Sequence, residues 1–156
     1  MNEQEQTTFL REGIKRYGDA MATLGAFREG LQGRLAEYLE HYEHPQLRPT
    51  QSEPEFNESN NRGGFRISTS QEAKGKDGKV WVELGLWWEG SATAMFASLW
   101  TENDKRHRLS TLPKNHPIVK PQLFGSNRWR FFASISSDSD LEATAKVLLD
   151  ELAVAQ

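Results

Sequence analysis

Residues 10–42 read LREGIKRYGDAMATLGAFREGLQGRLAEYLEHY, and the spacing of apolar residues in this run decides the fold. Leu10, Ile14, Tyr17, Met21, Leu24, Leu31, Leu35, Tyr38 and Tyr42 follow one another on steps of four and three. Arg28 is the one polar member of the series, with Phe27 beside it. That 3.5-residue repeat belongs to a helix lying along a partner helix. Gly13, Gly18, Gly25, Gly30 and Gly33 all lie off the stripe, and each costs about 1 kcal/mol relative to alanine in a helix interior. The stretch is therefore a poor autonomous helix that packing must hold. Continuous over residues 6–43, it would be roughly 55 Å long, whereas strands of about nine residues span only about 30 Å. Either the helix breaks into a hairpin, at Gly18-Asp19 or Gly25, or its stripe overhangs the sheet and is covered by a homodimer partner.

Downstream, His44-Pro45 ends the helix, because a residue before proline avoids the α region. Residues 45–64, PQLRPTQSEPEFNESNNRGG, carry three prolines and few apolar side chains and are expected to form a loop. A connection that long is expected to be either mobile or functional. Residues 65–136 read as a four-stranded antiparallel meander. Its strands are 65–71, 80–88, 92–100 and 128–136, with turns at Asp77-Gly78 and Glu89-Gly90. Residues 102–126 are expected to be irregular, apart from a short strand near Leu109–Leu112. A helix over 140–154 follows, with Leu141, Ala145, Leu148, Leu149 and Leu152 as its stripe and Ser139 with Glu142 as a capping box. The whole predicts one α+β domain: a helical segment (1–44), a loop (45–64), an antiparallel sheet (65–136) and a C-terminal helix (138–154), with the helices on one sheet face.

The composition excludes some chemistry outright. Among the 156 residues there is no cysteine, so disulfides, thiolate zinc sites and cysteine nucleophiles are ruled out. The polar, acidic start MNEQEQTTFLREG resembles no secretory signal, and no run approaches 18 apolar residues. A cytoplasmic, non-membrane protein is expected. The net charge is −3, yet residues 105–130 hold seven bases and no acid: Lys105, Arg106, Arg108, Lys114, Lys120, Arg128 and Arg130.

Besides the stripe of the N-terminal helix, two surfaces could recognise another molecule. On the central strand, Val80, Val82, Leu84, Leu86 and Trp88 alternate with Trp81, Glu83, Gly85, Trp87 and Glu89. If Arg128, Arg130 and Phe132 share the face of Trp81 and Trp87, the sheet presents aromatic rings edged with charge, the residue types of binding hot spots. Equally, those rings could form a second small core beneath a loop. The basic run, with Lys105, Arg106 and Arg108 at its start and Phe124 and Trp129 near its end, could bind phosphates and stack bases. It could also serve as a solvated face.

Catalytic signatures are sparse. No phosphate-binding loop, dinucleotide fingerprint, nucleophile elbow or zinc-protease motif occurs. Glu37, His41 and His44 fall on one helix face as candidate metal ligands, although histidines there also complement the helix dipole. Glu72-Ala-Lys74 has the form of a carboxylate–lysine pair of metal-dependent nucleases, but lacks an identifiable second acid. His107 and His116 read as solvated loop residues. No cofactor is indicated. The sequence thus points to a non-enzymatic interaction protein, such as a small inhibitor, adaptor or immunity-type factor, with another protein as partner. Nucleic-acid or phosphate-ligand binding through 105–130 is the alternative, and a metal-dependent hydrolase or nuclease the second.

Overall fold

A computed structural model describes residues 1–61, 64–100, 117–124 and 128–156. The elements are α1 (Glu3–Glu40), β1 (Arg48–Pro49), β2 (Glu55–Asn61), β3 (Gly64–Gly75), β4 (Gly78–Glu89), β5 (Ala92–Trp100), β6 (Lys120–Phe124), β7 (Arg128–Ser134) and α2 (Leu141–Ala155). The α+β class holds. One open alternative is decided and two expectations are corrected.

First, the N-terminal helix does not break: 38 residues run unbroken through all five glycines. It begins on a capping box in which Asn2 Oδ1 accepts from the Glu5 amide and Glu5 Oε2 accepts from the Asn2 amide. Second, the sheet has seven strands among the described residues rather than four. They are ordered β1-β3-β4-β5-β7-β6, with β2 beside β1 on the same edge of β3, and every pairing is antiparallel. The segment expected to be a loop supplies β1 and β2; the ladder of β3 imposes strand geometry on EFNESNN, a stretch with little strand propensity. Likewise β6 arises within the segment expected to be irregular, with Pro121 at an edge strand where its missing N–H costs no ladder bond. The short strand expected near Leu109–Leu112 lies outside the described residues. Third, α2 is capped not by Ser139 but by Asp140, whose Oδ1 accepts from the Ala143 amide at 3.0 Å. Ser139 instead accepts from the Ser136 amide. Both tight turns also fall slightly off the expected pairs. Gly75 pairs with Gly78 around Lys76-Asp77, and Glu89 pairs with Ala92 around Gly90-Ser91, Gly90 taking the left-handed φ of +59°.

Both helices pack on one sheet face, as expected. Leu35 and Leu39 of α1 and Leu148, Leu149 and Leu152 of α2 share a single apolar core with Val80, Val82, Leu84, Met95, Ala97 and Phe131. Thr69 of β3 adds a polar tie, its hydroxyl donating to the Gln32 carbonyl at 3.0 Å. The helices are joined by Tyr42, whose hydroxyl donates to Asp150 Oδ1 at 2.8 Å. Burial first, and then that carboxylate, push the phenol of Tyr42 well above its ordinary range. A group bound more tightly to its proton in the folded state stabilises the fold fully below the unfolded pKa, near 10, and less as pH rises above it. Tyr42→Phe is therefore expected to destabilise the chain by about 1.5–3 kcal/mol at pH 7, the range for hydrogen bonds to charged groups. Thermal melts should also show a shallower loss of stability above pH ~10 than in the unsubstituted chain.

Candidate functional site

Only the last third of α1 rests on the sheet. Leu35 and Leu39 are buried, while every residue from Met1 to Leu24 is exposed. The stripe that predicted a packed helix therefore stands uncovered along most of its length. Ile14 is 73% and Tyr17 70% exposed, and Phe9, Leu10, Met21, Leu24 and Phe27 are each about half exposed or more. A contiguous apolar row of this kind marks an interaction surface. The glycines beside it have no explanation inside the chain: a Cβ built on Gly13, Gly18 or Gly25 would meet nothing within 4 Å.

Where the stripe reaches the body it opens into a groove of about 490 Å³. Met21, Leu24 and Phe27 form one wall; Phe65 and Ile67 of β3 and Trp88 of β4 form the other. Register explains the second wall, since Phe65 opposes Trp88 and Ile67 opposes Leu86 on the helix-bearing face. The rings of Phe65 and Trp88 lie 5.7 Å apart. Arg28, the polar member of the stripe, spans the groove to Glu58 of β2 at 3.1 Å. The groove was not foreseen from sequence. Its one signal was Trp88, a large ring ending the core face of a strand, and the neighbours that complete the groove come from elements far apart in the chain.

The opposite sheet face does bring the sequence candidates together. Pairing of Trp81 with Trp100, Trp87 with Ala94, Gly85 with Phe96, Phe96 with Phe132 and Ser98 with Arg130 sets Trp81, Trp87, Arg130 and Phe132 on one side. Much of that face is internally engaged. Trp81 stacks on Trp100 at 6.5 Å, and both Trp81 and Trp87 are half-buried. Arg130 is only 3% exposed. Its Nη2 lies 3.5 Å from Glu83 Oε1, which also receives Arg66 Nη1 at 3.3 Å. The Arg130 guanidinium sits 5.0 Å above the Phe96 ring, which in turn packs 5.8 Å from Phe132. Gly85 makes this stacking possible, because a Cβ there would lie 2.7 Å from Phe96 Cε1 and 2.5 Å from Ser68 Cβ. Sequence alternation put Glu83 on this face, but its two arginine partners follow from register alone.

The remaining candidates separate. His41 Nδ1 lies 2.9 Å from the Glu37 carbonyl, and His44 Nδ1 accepts from the Gln46 amide at 3.1 Å. Glu37 and His41 line a cleft of about 560 Å³ between the helices, whereas His44 lines a different one. Among the described residues no three histidines or carboxylates are gathered for a metal ion. Glu72 is engaged by Lys79 at 3.1 Å across the β3–β4 ladder. Arg128 belongs to β7. Lys105, Arg106, Arg108, His107 and His116 lie outside the described residues. No described helix is long and apolar enough to cross a membrane.

These features define an antiparallel α+β chain with one overhanging amphipathic helix. Comparison with known proteins finds no matching family model, no matching curated protein and no matching solved structure.

Two substitutions check the engaged face. Glu83→Ala strips a buried carboxylate from two guanidiniums and should cost about 3–5 kcal/mol by denaturant titration. Gly85→Ala forces a methyl group into the Phe96 ring and the β3 backbone, at about 1–3 kcal/mol or more by the same measurement.

Proposed function

We propose that this chain is a non-enzymatic interaction protein that binds another protein through the overhanging apolar stripe of α1. The observation that carries this reading is the exposure of seven large apolar side chains, from Phe9 to Phe27, on a helix the body touches only at its far end. Such a helix gains little from its own sequence. Glycines weaken it, and isolated helices of modest length are marginal in water, so most helical stability comes from packing the apolar face. A protein surface that covers the stripe supplies that packing.

The sheet face favoured from sequence contributes less to this reading than α1 does. Arg130 is buried against Glu83 and Phe96, and Trp81 is stacked on Trp100. The same burial withdraws Arg130 from the set of cations that the nucleic-acid reading requires, since phosphate contact needs an accessible guanidinium.

The test is a paired capture. The immobilised chain is expected to retain a protein partner that Ile14→Glu combined with Leu24→Glu loses by at least 100-fold in affinity. Both positions are solvent-exposed, so the melting temperature should stay unchanged. Equal capture by the doubly substituted chain would refute the reading.

A further inference from the structure

We infer that the partner covering the stripe is a second copy of this chain, whose α1 lies antiparallel along the first. This rests on the reading of the stripe as an interface and adds the occupant and its geometry. Four observations carry it.

The direction follows from where the body sits. Met21, Leu24 and Arg28 look across the groove at β3, β4 and β2, and Leu35 is buried against the sheet. The body thus closes over the stripe side of α1 from Arg28 onward, with the groove open ahead of it. A second helix running parallel along residues 9–27 would carry its own residues 28–40, and the sheet attached to them, into that occupied space. Running antiparallel, it carries its body away and points only its slender N-terminus at the groove.

The register follows from length. The incoming helix begins at Glu3 and can advance until it meets the body edge at Arg28. That alignment places Glu3 opposite Arg28, Thr7 opposite Leu24, Leu10 opposite Met21 and Ile14 opposite Tyr17. Leu10, Ile14, Tyr17 and Met21 then meet one another, Leu24 meets Thr7, and Glu3 closes the seam at Arg28, which is already paired with Glu58. Leu10 of the second copy arrives beside Met21 at the mouth of the groove.

The glycines find their use in the same alignment. On one flank of the stripe lie Gln4, Arg11, Gly18 and Gly25; on the other lie Gln6, Gly13, Ala20 and Phe27. Antiparallel helices set like flanks together, so Arg11 passes over Gly18, Gln4 over Gly25, and Ala20 meets Gly13. Each of these three glycines faces a larger residue of the second copy, and a Cβ built on any of them would meet nothing within 4 Å in its own chain. Small flanking residues let two backbones approach closely.

The area is sufficient. Leu10, Ile14, Tyr17, Met21, Leu24 and Phe27, offering on the order of 100 Å² apiece, make roughly 600 Å² per chain, the lower end of specific interfaces at about 1,200 Å² in total.

Because the chain is free of cysteine, the geometry can be read by cross-linking. Two full-length variants, Leu10→Cys and Met21→Cys, are mixed and oxidised, and the parent chain is weighed by light scattering at micromolar concentration. The expected results are twice the chain mass and a disulfide joining Leu10→Cys to Met21→Cys in preference to either homodisulfide. Ile14→Glu should raise the dissociation constant at least 100-fold while leaving the melting temperature of the dilute, monomeric chain unchanged, and Gly18→Leu should raise it at least 10-fold. A chain that stays monomeric overturns self-pairing, while capture of a different protein through the stripe would leave the proposed function standing. A dimer giving only homodisulfides overturns the antiparallel arrangement. A dimer indifferent to Ile14→Glu overturns both this inference and the reading it rests on.

Discussion

The burial of Leu35, Leu39 and Tyr42 against the sheet and α2 is the contact on which the rest of the arrangement depends. It clamps a 38-residue helix by its C-terminal portion alone, and an unbroken helix held at one end projects at the other. At 1.5 Å per residue the part from Glu3 to Phe27 extends about 36 Å beyond the clamp. The periodicity that seats Leu35 on the sheet continues without interruption into the projection. The face that serves as core at one end is therefore an uncovered apolar row at the other.

The two sheet faces divide the work accordingly. The helix-bearing face is a continuous core from β3 to β7, closed by α2 and the end of α1. At its β2–β3 edge, where α1 departs, that core thins into the groove between Met21 and Trp88. The opposite face uses charge as well as aromatic packing. Glu83 holds Arg66 and Arg130, and Arg130 rests on the Phe96 ring. Breaking one member of a buried ion pair leaves a charge stranded in a poorly solvated setting, so this group stiffens the sheet more than it invites a ligand.

What could be read in the sequence was what repetition encodes. The four-and-three steps from Leu10 to Tyr42 revealed α1, and alternation from Val80 to Trp88 revealed β4 together with the face of each of its side chains. The Leu141–Leu152 stripe located α2 to within a residue at either end. What could not be read depends on partners distant in the chain. Glu55–Asn61 has no strand composition of its own and pairs because β3 offers an edge. Lys120–Phe124 contains a proline that argues against a strand unless it lies at an edge. The glycines of α1 suggested a break on propensity, yet the helix runs through them from its cap at Asn2 to its core contact at Leu35. At the candidate sites, alternation correctly grouped Trp81, Trp87, Arg130 and Phe132. Only register could show that Arg130 is spent on Glu83, and only tertiary packing could reveal the groove.

The central claim, that a second copy of the chain covers the exposed row of α1, is tested most directly by amide hydrogen exchange of residues 10–27 as a function of chain concentration. An isolated glycine-bearing helix opens readily, whereas one packed along a second helix opens only with it. Exchange across this segment should slow markedly between nanomolar and high-micromolar chain, while residues 80–88 of the core strand stay equally protected throughout. Rapid exchange over 10–27 at every concentration, with the core unchanged, would contradict the claim that a second copy covers this row.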